Sequence, residues 1–269
     1  MSSACDEQFK LVGVSNGESG ADAPCPLVPS LPADTKEPQI FRFLRSRYLD
    51  LIGSIYIYNE HRGYTAIDRV LRAVRKRWPD DLVLIGEIEK HRADEQKHYL
   101  MFRRWFERRG VMPFEINRAC GHIDRFIEIM FRSRIDELEP ERMVDDDVLF
   151  ARLCRVISLT EKRGHRQVDT LLRNQIVQSD RVLMKIFRII EVDEPSHWAP
   201  YDKWLKANSK RDPSWWERTV DSMIHSELLL VKLPYLFFNA QLTRRKDWAD
   251  AHDESYPSTG KHLPSLAAM

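Results

Sequence analysis

The chain has 269 residues, enough for one large domain or two modest ones, and its 42 basic and 41 acidic residues leave a net charge of +1. This balance gives no general attraction to nucleic acid or to an anionic membrane. The four cysteines are scattered and form no Cys-x-x-Cys pair, which excludes a rubredoxin-type iron site or a zinc ribbon and favours a reducing cytoplasm over a disulfide framework.

The first predicted element is a flexible N-terminal tail over residues 1–37, which are rich in Ser, Gly, Pro and Asp and lack periodicity. The tail has neither the basic nor the apolar region of a secretory signal. One helical domain is expected over residues 38–248, and an irregular C-terminal tail over residues 249–269. No segment of the sequence indicates β-structure.

Apolar residues at helical spacing predict six helices in this domain. Four of them would form a bundle, at about 39–77, 80–109, 145–178 and 179–208. Two additional helices are expected at about 114–138, as a long crossover, and at about 214–245. The last is unusually apolar and aromatic, which leaves contact with a membrane surface open. No stretch reaches the ~18 uninterrupted apolar residues of a transmembrane helix.

Two copies of one short motif lie on the second and fourth bundle helices. Residues 94–98 read Asp-Glu-Gln-Lys-His, and residues 193–197 read Asp-Glu-Pro-Ser-His. Side chains three apart share a helix face, so each copy can aim a carboxylate and an imidazole at one point. Two such pairs, with one Glu from each of two neighbouring helices, form the four-carboxylate, two-histidine box that holds two iron or manganese ions in a helical bundle.

An internal duplication supplies the two further glutamates. Glu60 and Glu161 each begin a Glu-x-Arg-Gly sequence, and each is followed by Asp at the same offset. Glu60 lies 35 residues before Glu95, and Glu161 lies 33 residues before Glu194. This self-similarity predicts two copies of one helical hairpin, related by a pseudo-two-fold axis.

The order Glu, Asp-Glu-x-x-His, crossover, Glu, Asp-Glu-x-x-His resembles the ferritin-like di-iron carboxylate superfamily over about residues 39–207. It is most similar to the oxygen-activating branch, which includes soluble methane monooxygenase-type hydroxylases, acyl-carrier-protein desaturases and ribonucleotide reductase small subunits. The resemblance implies an all-α, ferritin-like four-helix bundle with two iron ions, or manganese or a mixed pair, and O2 as co-substrate. It also implies that Asp94 supports His197 and that Asp193 supports His98 across the bundle.

The six predicted ligands divide between two ions. We assign Glu60, Glu95 and His98 to one ion, and Glu161, Glu194 and His197 to the other. Glu95 and Glu194 are the expected bridges. The glycines of the two Glu-x-Arg-Gly sequences lie one turn on and would leave room for metal, water or a bound gas.

Two departures from the family pattern concern the second motif and the radical tyrosine. Pro195 should kink or bulge its helix, because proline lacks the N–H that the helix needs. Phe102 stands one turn past His98, so no radical tyrosine is obvious and a ribonucleotide-reductase role is disfavoured. Tyr64 and Tyr99 keep that role open.

The remaining histidines have both a functional and a structural interpretation. His91, one turn before Glu95, and His165, one turn after Glu161, could support the metals or relay protons, but a buried structural role is favoured for each. For His61, His122 and His225 no part in the chemistry is expected.

Three functions compete for such a chain. The first is an O2-dependent oxidase or monooxygenase that acts on an apolar or partly apolar small molecule and takes electrons from a reductase or ferredoxin. In it the aromatic last helix would wall a substrate channel. The second is a ferroxidase or peroxide scavenger, and the third a metal-stabilised or metal-free helical scaffold without catalysis. Transfer-RNA and quinone hydroxylases fall within the first, although the neutral charge argues against tRNA. A homodimer is the commonest assembly for such a chain.

Overall fold

A computed structural model describes residues 38–252, and this part of the chain is all-helical without a strand. The predicted N-terminal tail lies outside the described residues. So does the predicted C-terminal tail beyond a 3₁₀ turn at Ala249–His252. No helix within the described range is both long enough and apolar enough to cross a bilayer.

Residues 38–252 form four long α-helices and five shorter ones. They are α1 (Gln39–Arg77), α2 (Leu82–Arg108), α3 (His122–Phe131), α4 (Pro140–Asp145), α5 (Asp147–Leu172), α6 (Gln175–Gln178), α7 (Arg181–Ala207), α8 (Trp215–Glu227) and α9 (Leu233–Phe238). Helix α1 packs on α2, α5 packs on α7, and α2 packs on α7. The two halves of the duplication are therefore two helical hairpins that meet along α2 and α7.

Aspartates begin three of the four long helices. Asp81 accepts a hydrogen bond from the N–H of Leu84, and so caps α2. Asp146 and Asp180 accept from the first free N–H groups of α5 and α7 in the same way. Each cap satisfies donors that a helix start leaves unpaired, typically contributing about 1 kcal/mol. The caps fix where each helix begins and hence which residues face inward.

Apolar side chains pack above and below the level of the two motifs. One cluster contains Ile88, Phe150 and Trp204, and the other contains Phe102 and Phe187. All but Trp204 are fully buried, and full burial of such a side chain is worth roughly 1.5–3 kcal/mol. The motif residues therefore lie between two clusters of buried apolar side chains.

The predicted crossover helix at 114–138 is mostly wrong. Only α3 is α-helical in this segment. Phe114 instead forms an isolated antiparallel bridge with Arg244, a single β-type contact that the sequence did not indicate. Arg132 ends α3 in the left-handed conformation, with φ of 54°. The chain from His122 to Met143, which we call the strap, therefore runs as an irregular connection from α3 to α4. It packs against α1 and α5.

Two other long predicted helices are also broken. The predicted helix at 145–178 ends as α5 at Leu172, because Asn174 caps the short α6 and starts a new turn. The predicted helix at 214–245 becomes α8, a π-helical turn at Leu228–Lys232, and α9. Pro234 lacks the N–H that a regular helix would need at this point, which accounts for the change of hydrogen-bond register.

Helix α7 keeps α-helical structure through Pro195 and Pro200. The π-bulge that was one of the two expected effects of Pro195 is therefore absent, and the kink stays a prediction. Proline removes a hydrogen bond to Glu191, but packing against α2 and α5 maintains the helix. Glu194 and His197 consequently remain on one face, as their spacing predicts.

Candidate metal centre

The six predicted ligands converge from the four long helices. Helix α1 contributes Glu60, α2 contributes Glu95 and His98, α5 contributes Glu161, and α7 contributes Glu194 and His197. All are buried except Glu161, whose side chain is 16% exposed. Spacings of three on α2 and α7 put each Glu and His on the inner face.

The first cluster of ligand atoms comes from Glu60, Glu95 and His98. One atom of each lies within 4.8 Å of the others. His98 Nδ1 is 3.4 Å from Glu60 Oε2. This is the set that the sequence assigned to one ion.

The second cluster comes from His91, Glu95, Glu161 and His197, again with ligand atoms within 4.8 Å of one another. His197 Nδ1 lies 3.1 Å from Glu95 Oε1 and 3.9 Å from Glu161 Oε2. Glu95 thus belongs to both clusters, which is the position of a bridging carboxylate. His91 takes part here, although the sequence favoured a structural role for it.

Glu194, the other expected bridge, lies beside the second cluster. Its Oε2 is 3.8 Å from His197 Nδ1 and has no hydrogen-bond partner. The carboxylate therefore borders the centre, while Glu95 alone is shared by the two compact groups.

Carboxylates from the opposite motif lie behind both histidines. His98 Nε2 is 2.9 Å from Asp193 Oδ2, a hydrogen bond, and His197 Nε2 is 3.7 Å from Asp94 Oδ2. Lys97 links the two aspartates at 2.6 Å from Asp94 and 2.7 Å from Asp193. The hydrogen bond to Asp193 leaves Nδ1 of His98 facing the glutamates, whereas Asp94 lies behind His197 at more than hydrogen-bond distance.

Crowding of buried carboxylates disfavours their ionised forms. Burial, and next the charge of Glu95, raise the pKa of Glu60 to about 7 and the pKa of Glu161 to about 8. Burial and Glu161 raise the pKa of Glu194 well above its usual value. For His98, burial is outweighed by the hydrogen bond to Asp193 and by the nearby Glu60 carboxylate, which raise its pKa to about 8. A bound cation would compensate the negative charge of these carboxylates and so favour their ionised forms.

Several buried atoms of the centre have no hydrogen-bond partner. They are His91 Nε2, His98 Nδ1, both ring nitrogens of His197 and Glu194 Oε2. Such orphans are rare in folded proteins and call for an ion, a water or a ligand. Ligand atoms about 2.0–2.2 Å from one ion lie roughly 3–4 Å apart, and the separations from 3.1 to 3.9 Å across the centre match that range. The side chains therefore fit two metal ions.

Glycines provide the space that these carboxylates occupy. A Cβ at Gly63 would lie 2.1 Å from Glu95 Oε2, and one at Gly164 would lie 3.3 Å from Glu194 Oε1. The glycine of each Glu-x-Arg-Gly sequence thus admits the motif glutamate of its own half. This need for space explains why both halves of the duplication have a glycine at this position.

A cavity of about 130 Å³ adjoins the four glutamates. It lies between α1 and α5, and the strap from α3 to α4 covers it with apolar side chains. These are Ile123, Ile127, Ile135, Leu138 and Met143. The predicted last helix contributes only Leu228 to its lining, and Trp215, Trp216 and Tyr235 are exposed instead.

Two side chains beside the centre were not predicted to take part in it. The sequence favoured a structural role for His91 and did not single out Tyr56. Each lies one turn before a predicted ligand, Glu95 or Glu60, so the spacing of four was the available signal. The Tyr56 hydroxyl is buried without a partner and lines the cavity. Burial and the charge of Glu60 raise its pKa.

The other histidines lie away from the two ligand clusters. The His165 ring contacts Trp198, and the His61 ring contacts Tyr64 and Tyr99. His122 is 2.8 Å from Asp221, and burial lowers its pKa to about 3. His225 is 2.7 Å from Gln167.

Comparison of the chain with protein-family models, with curated proteins and with solved structures finds no match in any of the three. The ferritin-like resemblance therefore rests on the duplicated motif and on the geometry of the residues that it predicts.

Proposed function

We propose that α1, α2, α5 and α7 form a ferritin-like bundle that binds two iron ions and uses O2 to oxidise an apolar small molecule. The observation that carries this proposal is the pair of ligand clusters joined by Glu95, with an apolar cavity against the same carboxylates. Carboxylates with imidazoles suit iron, and manganese is the alternative.

Two bound iron ions would supply the paired electrons that dioxygen reduction needs. The chain supplies the surroundings. Asp193 and Lys97 fix the orientation of His98, and the glutamates would hold the ions as ionised carboxylates. The aliphatic part of the cavity wall offers an apolar surface that would hold a substrate against Glu60 and Glu95. A reductase or ferredoxin is the expected electron donor.

The cavity favours an oxidase or monooxygenase over the two alternatives. A ferroxidase or peroxide scavenger needs the metal cluster but no apolar cavity beside it. A scaffold needs no cavity beside its metal, and a metal-free scaffold would leave the unpaired buried atoms of His98 and His197 unexplained. The strap that covers the cavity, from His122 to Met143, also has no role in either alternative.

The deciding experiment loads the protein with ferrous iron, reduces it and admits oxygen in the presence of a cell extract. Mass spectrometry then follows which small molecule gains oxygen or loses two hydrogens. Such a product supports the proposal. Peroxide consumption or mineral growth without a product indicates the ferroxidase or scavenger, and failure to bind metal indicates the scaffold.

Glu95→Ala and His197→Ala are the matched inactive variants. Each removes a ligand atom from a cluster, so iron should fall below two per chain and turnover should disappear. His225→Gln, on α8 outside both clusters, should retain iron and turnover. If the two ligand variants held as much iron as the wild type, the ligand assignment would be wrong.

A further inference from the structure

His91 is fully buried at the centre and faces the second cluster. Its Nε2 lies 3.8 Å from Glu95 Oε1 and 3.8 Å from Glu161 Oε1, and it has no hydrogen-bond partner. The ring stacks on His197 with centroids 4.4 Å apart. Both distances to the carboxylates exceed a hydrogen bond but match two ligands of one ion.

The opposite ring nitrogen of His91 has a partner that suits metal binding. His91 Nδ1 is 3.0 Å from the Tyr201 hydroxyl, and both side chains are buried. With Nδ1 donating to this oxygen, the lone pair of Nε2 points at Glu95 and Glu161. Metal-bound imidazoles are held in this way, by an acceptor on the far nitrogen.

The pair of His91 and Tyr201 breaks the pseudo-symmetry of the fold. In the register that matches Glu95 with Glu194, His91 corresponds to Ile190 and Tyr201 corresponds to Phe102. Both Ile190 and Phe102 are fully buried in an apolar cluster. The buried imidazole and hydroxyl pair of His91 and Tyr201, one from each half, thus has only the hydrocarbon side chains of Ile190 and Phe102 as its symmetry-related counterpart.

We propose that His91 binds metal through Nε2 as a third imidazole ligand, on the ion held by Glu161 and His197, with Tyr201 as its positioning residue. This inference rests on the dinuclear centre proposed above and makes its two ions unequal. The His91 side has two imidazoles and the Glu60 side has one. The nitrogen-richer position would favour iron over manganese more strongly than the carboxylate-richer position, because imidazole suits iron whereas carboxylate suits manganese.

Proton NMR of the Co²⁺-loaded wild-type protein tests the ligand number without any substitution. Each imidazole bound through one nitrogen keeps an exchangeable N–H on the other, and a paramagnetic ion shifts that signal far from the normal range. Three shifted exchangeable signals are expected, from His91, His98 and His197. Two signals would overturn the inference while leaving the dinuclear centre intact. No Co²⁺ binding would overturn both.

Variants assign the third signal. His91→Gln should remove one shifted signal and weaken one of the two Co²⁺ equivalents by more than about 100-fold, beyond the 10–100-fold typical of losing an outer partner. Tyr201→Phe should keep all three imidazoles but weaken the same equivalent by about tenfold. His225→Gln is the control and should match wild type. A His91→Gln protein with unchanged stepwise Co²⁺ affinities would contradict the assignment.

Discussion

Replacing Gly63 with alanine should displace the carboxylate that joins the two ligand clusters. The new Cβ would lie 2.1 Å from Glu95 Oε2, whereas ordinary contact begins near 3.4 Å, so this oxygen must move by about 1.3 Å. Metal–ligand distances tolerate only about 0.2 Å. Because Glu95 belongs to both clusters, we expect both ions to bind at least about tenfold more weakly.

Competition titration with a chelator measures this loss, and thermal unfolding of the metal-free protein separates it from misfolding. The clash involves the end of a flexible side chain, and Gly→Ala inside a helix is worth about 0.5–1 kcal/mol of added stability. The melting temperature of the metal-free variant should therefore not fall. Weak metal binding in a stable protein is the expected combination.

Two other glycines give a graded comparison. A Cβ at Gly86 on α2 would meet nothing within 4 Å, so Gly86→Ala should gain stability and keep metal affinity. Gly164→Ala requires a shift of only a few tenths of an ångström at Glu194 and should have an intermediate effect. Equal metal affinity in the Gly63 and Gly86 variants would refute the position assigned to Glu95.

Three further predictions follow from the same geometry. Asp193→Asn should weaken the ion held by His98 by about 10–100-fold in a chelator titration, since a hydrogen bond of 2.9 Å holds that ring; an unchanged affinity would rule out its positioning role. The metal-free protein should lose stability as pH rises from about 6.5 to 8, because Glu60 and Glu161, with pKa values of about 7 and 8, hold protons in the folded state that they release on unfolding. Above a pH of about 6.5, His122, whose pKa is lowered, is neutral in both states and does not offset this loss. Each pKa unit is worth about 1.4 kcal/mol, so urea midpoints should fall clearly with pH, and a flat or rising profile would contradict the crowding of carboxylates. Ala66→Phe adds a ring to the cavity wall and should abolish product formation at full iron content; unchanged product would place the substrate elsewhere.

The convergence of the ligands could be read from the sequence because it depends on local geometry. A spacing of three fixes Glu95 with His98 and Glu194 with His197 on one face of a helix. The repeat identified Glu60, because its distance from Glu95 along the chain nearly equals the distance of Glu161 from Glu194. The spacing and the repeat do not depend on how the helices pack against one another.

His91 could not be assigned in this way. A histidine one turn before a ligand can be a further ligand or a structural residue, and the sequence favours the second. The evidence for a ligand is the approach of Glu161 and Tyr201 from other helices. The same limit explains the crossover. The contact between Phe114 and Arg244 joins residues far apart in sequence, and helical periodicity carries no information about it.

A crystal structure of the metal-loaded protein, with anomalous data collected at the iron edge, tests the central claim most directly. Two anomalous peaks are predicted, one among Glu60, Glu95 and His98 and the other among Glu95, Glu161 and His197. Crystals soaked in ferrous iron that show neither peak, or iron only on surface carboxylates, would contradict the dinuclear centre.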